Sequence, residues 1–158
     1  MAVKALLGIS PGTRVIGLAV IHKDELVEWK VKTFKEMWSR DKRKAILRTI
    51  DKMCDYHRIQ VVAVKKIDPL RSSPQLDILV AAIIRQAERH RIKVEQYSLS
   101  DLDYDLRSGR QQTKESLSEQ VVEKYPELKK KYLRERNNRT EYYTKMFEAI
   151  AMAEQYKE

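Results

Sequence analysis

Acidic side chains that could hold a divalent cation occur in two parts of the sequence. Asp68 and Asp77 lie near the middle of the chain, and Asp101, Asp103 and Asp105 alternate within a turn-rich segment. Magnesium and manganese prefer carboxylate oxygens, so either group could contribute to a metal site. Alternating acids in such a segment are usually solvated or cap helices, and a metal site built from them is the minority interpretation.

Thiol and imidazole groups are too few and too scattered to predict a catalytic or zinc site. Cys54 is the one cysteine of the chain, which excludes an internal disulfide. His22, His57 and His90 fall in different segments and lack the spacing of zinc ligands. We expect Cys54 to pack on a helix face, and we assign the histidines no chemistry.

The composition indicates one basic domain. The 158 residues include 32 Lys and Arg against 23 Asp and Glu, a net charge of +9 that suits a partner carrying phosphates. With 42% hydrophobic residues and no linker-like tract, we expect a single domain over residues 1–158. No apolar run is long enough to span a bilayer and no leader pattern opens the chain, so we expect a cytoplasmic protein.

Apolar patterns predict three strands in the first part of the chain. The runs from Val3 to Ile9 and from Val15 to Ile21 flank a turn signal and predict a hairpin. In a third run, Val27, Trp29 and Val31 alternate with polar residues, as in a strand with one solvated face. The three strands should form an antiparallel meander.

Helices and further strands alternate after this meander. Helical spacing predicts one helix between Ser39 and His57 and another that begins at Ser73-Pro74. Val61 to Val64 predicts a central strand parallel to the first, and Ile92 to Tyr97 predicts a fifth strand. Two closing helices are expected, from about Thr113 to Tyr125 and from about Thr140 to Tyr156.

These elements predict an α/β fold with a five-stranded mixed sheet flanked by helices. An antiparallel three-strand meander would be followed by parallel strands, joined by right-handed crossovers. Leu79, Val80 and Ile83 of the second helix are expected to pack against Val62 and Val64 of the sheet.

The segment from Leu6 to Gly17, LLGISPGTRVIG, resembles the opening of the RuvC-type Holliday junction resolvases. That family reads roughly Leu-Gly-Ile-Asp-Pro-Gly-Ser-Arg at this place. The similar order continues through the strand ending at Lys65, and the segment from Phe147 to Ala153 resembles the family's last helix. The resemblance implies a ribonuclease-H-like fold over almost the whole chain, and a homodimer.

The family's active members hold divalent metals with carboxylates from the first strand, the fourth strand and the last helix. The matching positions here are Ser10, Lys65, Lys145 and Glu148, so that Glu148 alone keeps a carboxylate. A lysine about 4 Å from a cation repels it by roughly 4 kcal/mol per pair of unit charges at an effective dielectric of 20. The resemblance therefore implies a degenerate site, to which we assign no catalytic residue and no metal cofactor.

Each of these four positions also has an ordinary structural explanation. Ser10 fits a tight turn, Lys65 could end a strand and reach solvent, and Glu148 could be an ordinary exposed helix residue. On a helical wheel Glu148 lies at the edge of the apolar stripe of the last helix, while Lys145 lies nearer the opposite face. We favour the structural explanation for Glu148 and Lys145, and for Lys65 we weigh the two explanations equally.

Three functions remain open on the sequence alone. The leading hypothesis is an inactive RuvC-like domain that binds nucleic acid or another partner. Nucleic acid would bind at the carboxyl edge of the sheet, with DNA slightly favoured over RNA. The expected phosphate contacts are Lys65, Lys66, Arg71, Arg107, Arg110 and Lys114. The second is an active endonuclease dependent on Mg²⁺ or Mn²⁺, with Glu148 and either Asp68 or the acids at 101–105. The third is a protein-interaction scaffold, in which the basic run 129–139 is only a solvated linker or helix face.

Overall fold

The computed structural model describes residues 5–98, 114–138 and 143–157. Within them the strands are β1 (Ala5–Ser10), β2 (Val15–His22), β3 (Glu25–Thr33), β4 (Val61–Lys65) and β5 (Lys93–Tyr97). The helices are α1 (Arg40–His57), α2 (Pro74–Arg89), α3 (Lys114–Lys124), α4 (Lys129–Asn138) and α5 (Thr144–Lys157). Short 3₁₀ turns span Pro69–Arg71 and Pro126–Leu128.

The strands form one mixed sheet in the order β3-β2-β1-β4-β5. β1 pairs antiparallel with β2, and β2 pairs antiparallel with β3. β4 pairs parallel with β1 on one side and with β5 on the other. This arrangement confirms the predicted fold class, with a meander followed by parallel strands.

Serine caps define the starts of the first two helices. The Ser39 hydroxyl accepts a hydrogen bond from the Lys42 amide at 3.1 Å, and the Ser73 hydroxyl accepts one from the Leu76 amide at 3.2 Å. Each bond satisfies an amide that has no partner inside the helix. The helix starts expected at Ser39 and Ser73 are thereby confirmed.

Two apolar cores lie on opposite faces of the sheet. On one face, Leu7 and Ile9 of β1 belong to a buried cluster that includes residues of α1 and α2. On the other face, Ala19 and Ala63 belong to a cluster with residues of α3 and α5, among them Phe147. Because side chains alternate along a strand, Leu6, Gly8 and Ser10 face α5 rather than α1 and α2.

The prediction that Val27 shares the inward face of Trp29 and Val31 is wrong, because β3 contains a bulge. Val20 of β2 pairs with Glu28 and the next residue, Ile21, pairs with Leu26, which leaves Val27 as an extra residue. A bulge shifts the alternation by one residue. Val27 is consequently 44% exposed, and Leu26 turns inward with Trp29 and Val31.

Two further expectations need correction. Only two closing helices had been predicted, whereas the basic run also forms a helix, α4. Val80 is half-buried and faces a surface groove, whereas Leu79 and Ile83 are buried with Val62 and Val64 as predicted.

None of the helices within the described residues is long and apolar enough to span a membrane.

Truncating Ile83 to alanine should destabilise the fold strongly, because this side chain is 1% exposed between α2 and the sheet. We expect Ile83→Ala to lower the free energy of unfolding by about 2–5 kcal/mol. The matched control is Ile78→Ala on the same helix, where the side chain is 45% exposed and the loss should be under about 1 kcal/mol. Urea unfolding measures both, and equal losses would contradict the assignment of the helix face.

Candidate functional site

Close contact between α5 and the sheet positions the site. A row of small residues crosses the sheet, because Gly8 of β1 pairs with Ala19 of β2 and with Ala63 of β4. A Cβ atom on Gly8 would lie 1.8 Å from the carbonyl oxygen of Ala149. The backbone of α5 therefore rests on the backbone of β1.

The helix and the strands advance in step along this contact. Above Gly8, a Cβ atom on Gly17 of β2 would lie 1.9 Å from the Lys145 carbonyl oxygen. Below it, Ala153 packs with Leu6 in a third buried cluster. Four residues of a helix advance about 6 Å, and two residues of a strand advance about 6.6 Å. Every fourth residue of α5 on the side facing the sheet therefore lies over every second residue of the strands. Its first turns thus lie over the carboxyl ends of β1 and β4.

Glu148 is buried at this position and is held by residues from both strands. Its side chain is 1% exposed, and its Oε1 atom accepts a hydrogen bond from Ser10 Oγ at 3.0 Å. Its Oε2 atom accepts a hydrogen bond from Lys65 Nζ, which forms a salt bridge whose lysine side chain is 13% exposed. The structure thus brings together three of the four positions that the resemblance identified.

Lys145 completes the set. Its Nζ atom donates to the carbonyl oxygen of Pro11 at 2.9 Å and lies beside Gly12, in the turn between β1 and β2. The expectation that Lys145 lies nearer the opposite face is therefore wrong. The interpretation of Glu148 as an ordinary exposed helix residue is also wrong, because the wheel drawn on large apolar residues ignored the alanines that face the sheet.

The residues present do not fit a divalent cation. Both Glu148 oxygens are engaged by donors, and Lys65 places a positive charge where the family would place a carboxylate. Asp68 accepts a hydrogen bond from the Leu70 amide at 3.0 Å, and Asp77 accepts one from Ser72 Oγ. Across the described residues, no group of three or more His, Cys, Asp or Glu side chains could hold a metal ion.

A groove of about 950 Å³ opens at the same edge of the sheet. Its cationic lining residues are Lys65, Lys66, Arg71 and Lys145, and its acidic ones are Asp68 and Asp77. Because Lys65 is paired with Glu148, the lining keeps a formal excess of one positive charge. Val80, Ala81 and Ile84 of α2 form an apolar wall. This combination suits a ligand that carries both phosphate charge and apolar surface.

The expected phosphate contacts occupy different environments. Lys66 and Arg71 are exposed on the groove, whereas Lys65 forms a salt bridge with Glu148. Arg107 and Arg110 lie outside the described residues, as do the acids Asp101, Asp103 and Asp105. Lys114 is the first residue of α3.

The cysteine and histidines occupy other parts of the molecule. Cys54 packs against the α1–α2 core, and burial raises the pKa of its thiol to about 12, which keeps it protonated at neutral pH. His57 pairs with Glu28 at 3.4 Å and shares a surface depression with His22 at the opposite end of the sheet. His90 pairs with Asp51 at 3.3 Å.

The sheet order, together with a polar site between β1, β4 and the last helix, defines a ribonuclease-H-like fold of the RuvC type. The structure is similar to Thermus thermophilus RuvC, with a TM-score of 0.70 and 16% identity over 94% of this chain and 90% of that chain. It is also similar to the fowlpox virus resolvase in complex with Holliday junction DNA, with a TM-score of 0.57 and 11% identity over 97% and 96% of the two chains.

A third similar structure is T. thermophilus RuvC in complex with a Holliday junction substrate, with a TM-score of 0.54 and 19% identity. That match covers 60% of this chain and 64% of the RuvC chain, which is less than two thirds of its length. Comparisons with protein-family models and with curated proteins gave no match. Identities this low establish the fold, and the function has to be argued from the site.

Placing a methyl group under α5 should disturb the site without changing its polar residues. In Gly17→Ala the new Cβ would meet the Lys145 carbonyl oxygen at 1.9 Å, and a backbone atom cannot rotate away. We expect a loss of about 1–3 kcal/mol, which lowers the Tm by about 2–12 °C. Calorimetry measures the shift, and a Tm equal to that of the wild type would show that α5 does not lie this close to β2.

Proposed function

We propose that residues 1–158 form one cytoplasmic, RuvC-like domain that binds DNA at the groove beside β4 and does not cleave it by metal-dependent chemistry. The observation that carries this proposal is the pairing of Lys65 with Glu148, which sets an ion pair where a resolvase would set a metal. DNA is preferred over RNA because the fowlpox virus resolvase, which is similar in structure, is in complex with Holliday junction DNA.

The groove supports phosphate binding by residues other than Lys65. Lys66 and Arg71 are exposed and lie on its lining, where they could contact phosphates without reading bases. Asp68 and Asp77 on the same lining weaken the positive potential, so the affinity should be moderate and should depend strongly on salt. We therefore assign Lys66 and Arg71 the main phosphate contacts among the described residues, and we treat Lys65 as structural.

The alternative of an endonuclease with a displaced site finds little support. It requires Glu148 to coordinate a metal, yet this carboxylate is buried and both of its oxygens accept hydrogen bonds. Activation of a water molecule also requires solvent to reach the metal-binding oxygens.

We predict no cleavage of four-way junctions, duplexes or single strands in Mg²⁺ or Mn²⁺. The assay uses repurified protein beside Glu148→Gln, a substitution that removes the charge and nearly preserves the shape. A trace activity present equally in both preparations would be a contaminant. Cleavage by the wild type that disappears in Glu148→Gln would contradict the proposal and support a functional metal site.

The binding site is tested by the salt dependence of DNA affinity. Each phosphate contact contributes about 0.9 to the slope of log affinity against log salt on duplex DNA. We expect Lys66→Ala/Arg71→Ala to reduce the slope by about 1.8, because both contacts are lost. Fluorescence anisotropy on a labelled duplex and on a junction measures this slope, and the same titration on RNA tests the preference for DNA.

The matched control is Lys129→Ala/Lys130→Ala, which removes the same charge from two exposed residues of α4. Lys131 is left intact because its ammonium lies over the rings of Trp29 and Tyr143, at 5.8 and 5.5 Å from their centroids. An equal loss of slope in both variants would mean diffuse attraction to a basic protein. If the wild type does not bind at low salt, the proposal fails and an interaction scaffold becomes the better explanation. Mass measurement in solution tests the homodimer that the resemblance implies.

A further inference from the structure

A buried carboxylate at the meeting point of two strands and a helix requires a counter-charge. Glu148 is 1% exposed, and hydration by bulk water is therefore lost. Removal of a carboxylate from water is among the largest penalties in folding unless a cation and hydrogen bonds replace the water. In a metal-bound site of this fold, a divalent ion would supply that charge.

Lys65 supplies the charge from within the chain. Its Nζ atom contacts Glu148 Oε2, and its side chain is 13% exposed, so the pair lies largely away from solvent. Ser10 Oγ donates to the other oxygen, and no fully buried side-chain nitrogen or oxygen atom among the described residues lacks a partner. The site is therefore complete in its polar contacts.

We infer that the Lys65 ammonium is a tethered cation that takes over the structural task of a divalent metal, joining β4 to α5 through Glu148. The joint makes the stability of the fold independent of Mg²⁺ and Mn²⁺. This inference concerns the protein alone and holds whether or not the groove binds DNA.

Exchange of the tethered cation for a carboxylate should convert the joint into a divalent cation site. In Lys65→Glu, two carboxylates and the Ser10 hydroxyl would surround the space that the ammonium fills, which is an oxygen ligand set of the kind Mg²⁺ and Mn²⁺ accept. Two adjacent buried carboxylates repel each other, so this variant should be unstable without a metal ion.

The experiment measures the Tm of the purified protein in EDTA, in Mg²⁺ and in Mn²⁺. The wild type should melt at one temperature in all three, and Lys65→Glu should melt far lower in EDTA. At about 100 times its Kd, a bound ion should raise the Tm of the variant by about 5–11 °C. The control is Lys66→Glu, which makes the same charge change one residue further along the chain, on an exposed side chain, and should show no such recovery.

A second pair of variants tests the counter-charge directly. Lys65→Met should lower the Tm by about 6–20 °C, because it leaves the Glu148 carboxylate buried without its cation. Adding Glu148→Gln should restore much of that loss, since a neutral amide needs no counter-charge. A merely space-filling lysine would not show this rescue. If Lys65→Glu fails to fold, Lys65→Met with and without Glu148→Gln still shows whether Lys65 supplies the counter-charge to Glu148.

Three results would overturn the inference. Stabilisation of the wild type by Mg²⁺ or Mn²⁺ would mean that the site accepts a metal despite Lys65. A Tm for Lys65→Met equal to that of the wild type would mean that Glu148 needs no counter-charge. A folded Lys65→Glu with the same Tm in EDTA and in Mn²⁺ would mean that the ammonium does not stand where a metal can bind. DNA binding can fail or succeed independently of all three.

Discussion

The close approach of α5 to β1 and β2 is the constraint on which the rest of the site depends. Gly8 and Gly17 lie directly beneath carbonyl oxygens of the helix, at separations that leave no room for a side chain. Because the helix backbone is seated this deeply, a residue on its sheet-facing side is buried whatever its polarity. Glu148 is such a residue. It is buried because the glycines let the helix approach the sheet closely, although a carboxylate by itself favours water.

Once the carboxylate is buried, electrostatics limits what can surround it. Two solutions satisfy the negative charge: a metal ion with further acidic ligands, or a basic side chain. Lys65 ends β4, beside the strand that ends at Ser10, so a long basic side chain at that position reaches the carboxylate without distortion of the sheet. The same backbone can therefore accommodate either a metal ion with acidic ligands or a basic side chain, and very few residues determine which of the two is present.

The sequence predicted the sheet because its signals are local. Alternation, the Ser39 and Ser73 caps and the apolar run of β4 each act within a few residues, and these elements appear where they were expected. The bulge at Val27 was missed because it depends on pairing with β2, which no pattern within β3 reports. The helix α4 was missed because its residues are mostly polar, and it is held by contacts such as that of Lys131 with Trp29.

The sequence indicated which residues meet at the site, but it did not indicate how their side chains are arranged. The resemblance placed Ser10, Lys65 and Glu148 together, but a helical wheel weighted by large apolar residues pointed Lys145 away from the sheet. The informative signal was the pairing of small residues across the interface, with Gly8 and Gly17 on the strands and Ala149 and Ala153 on the helix. Small residues add little to an apolar stripe, yet they permit the closest helix–sheet packing.

Binding and cleavage are physically separable in this fold, because they use residues at different depths. The proposed phosphate contacts, Lys66 and Arg71, are exposed on the lining of the groove, whereas the Glu148 carboxylate is buried. Metal-dependent cleavage requires carboxylate oxygens that can bind an ion and a water molecule, and here those of Glu148 are occupied by Ser10 and Lys65. An exchange of carboxylate for lysine at the end of β4 would thus remove the chemistry and leave the rim intact. Lys65 supplies the counter-charge to Glu148 from within the chain, so the groove can keep its shape without a bound metal ion.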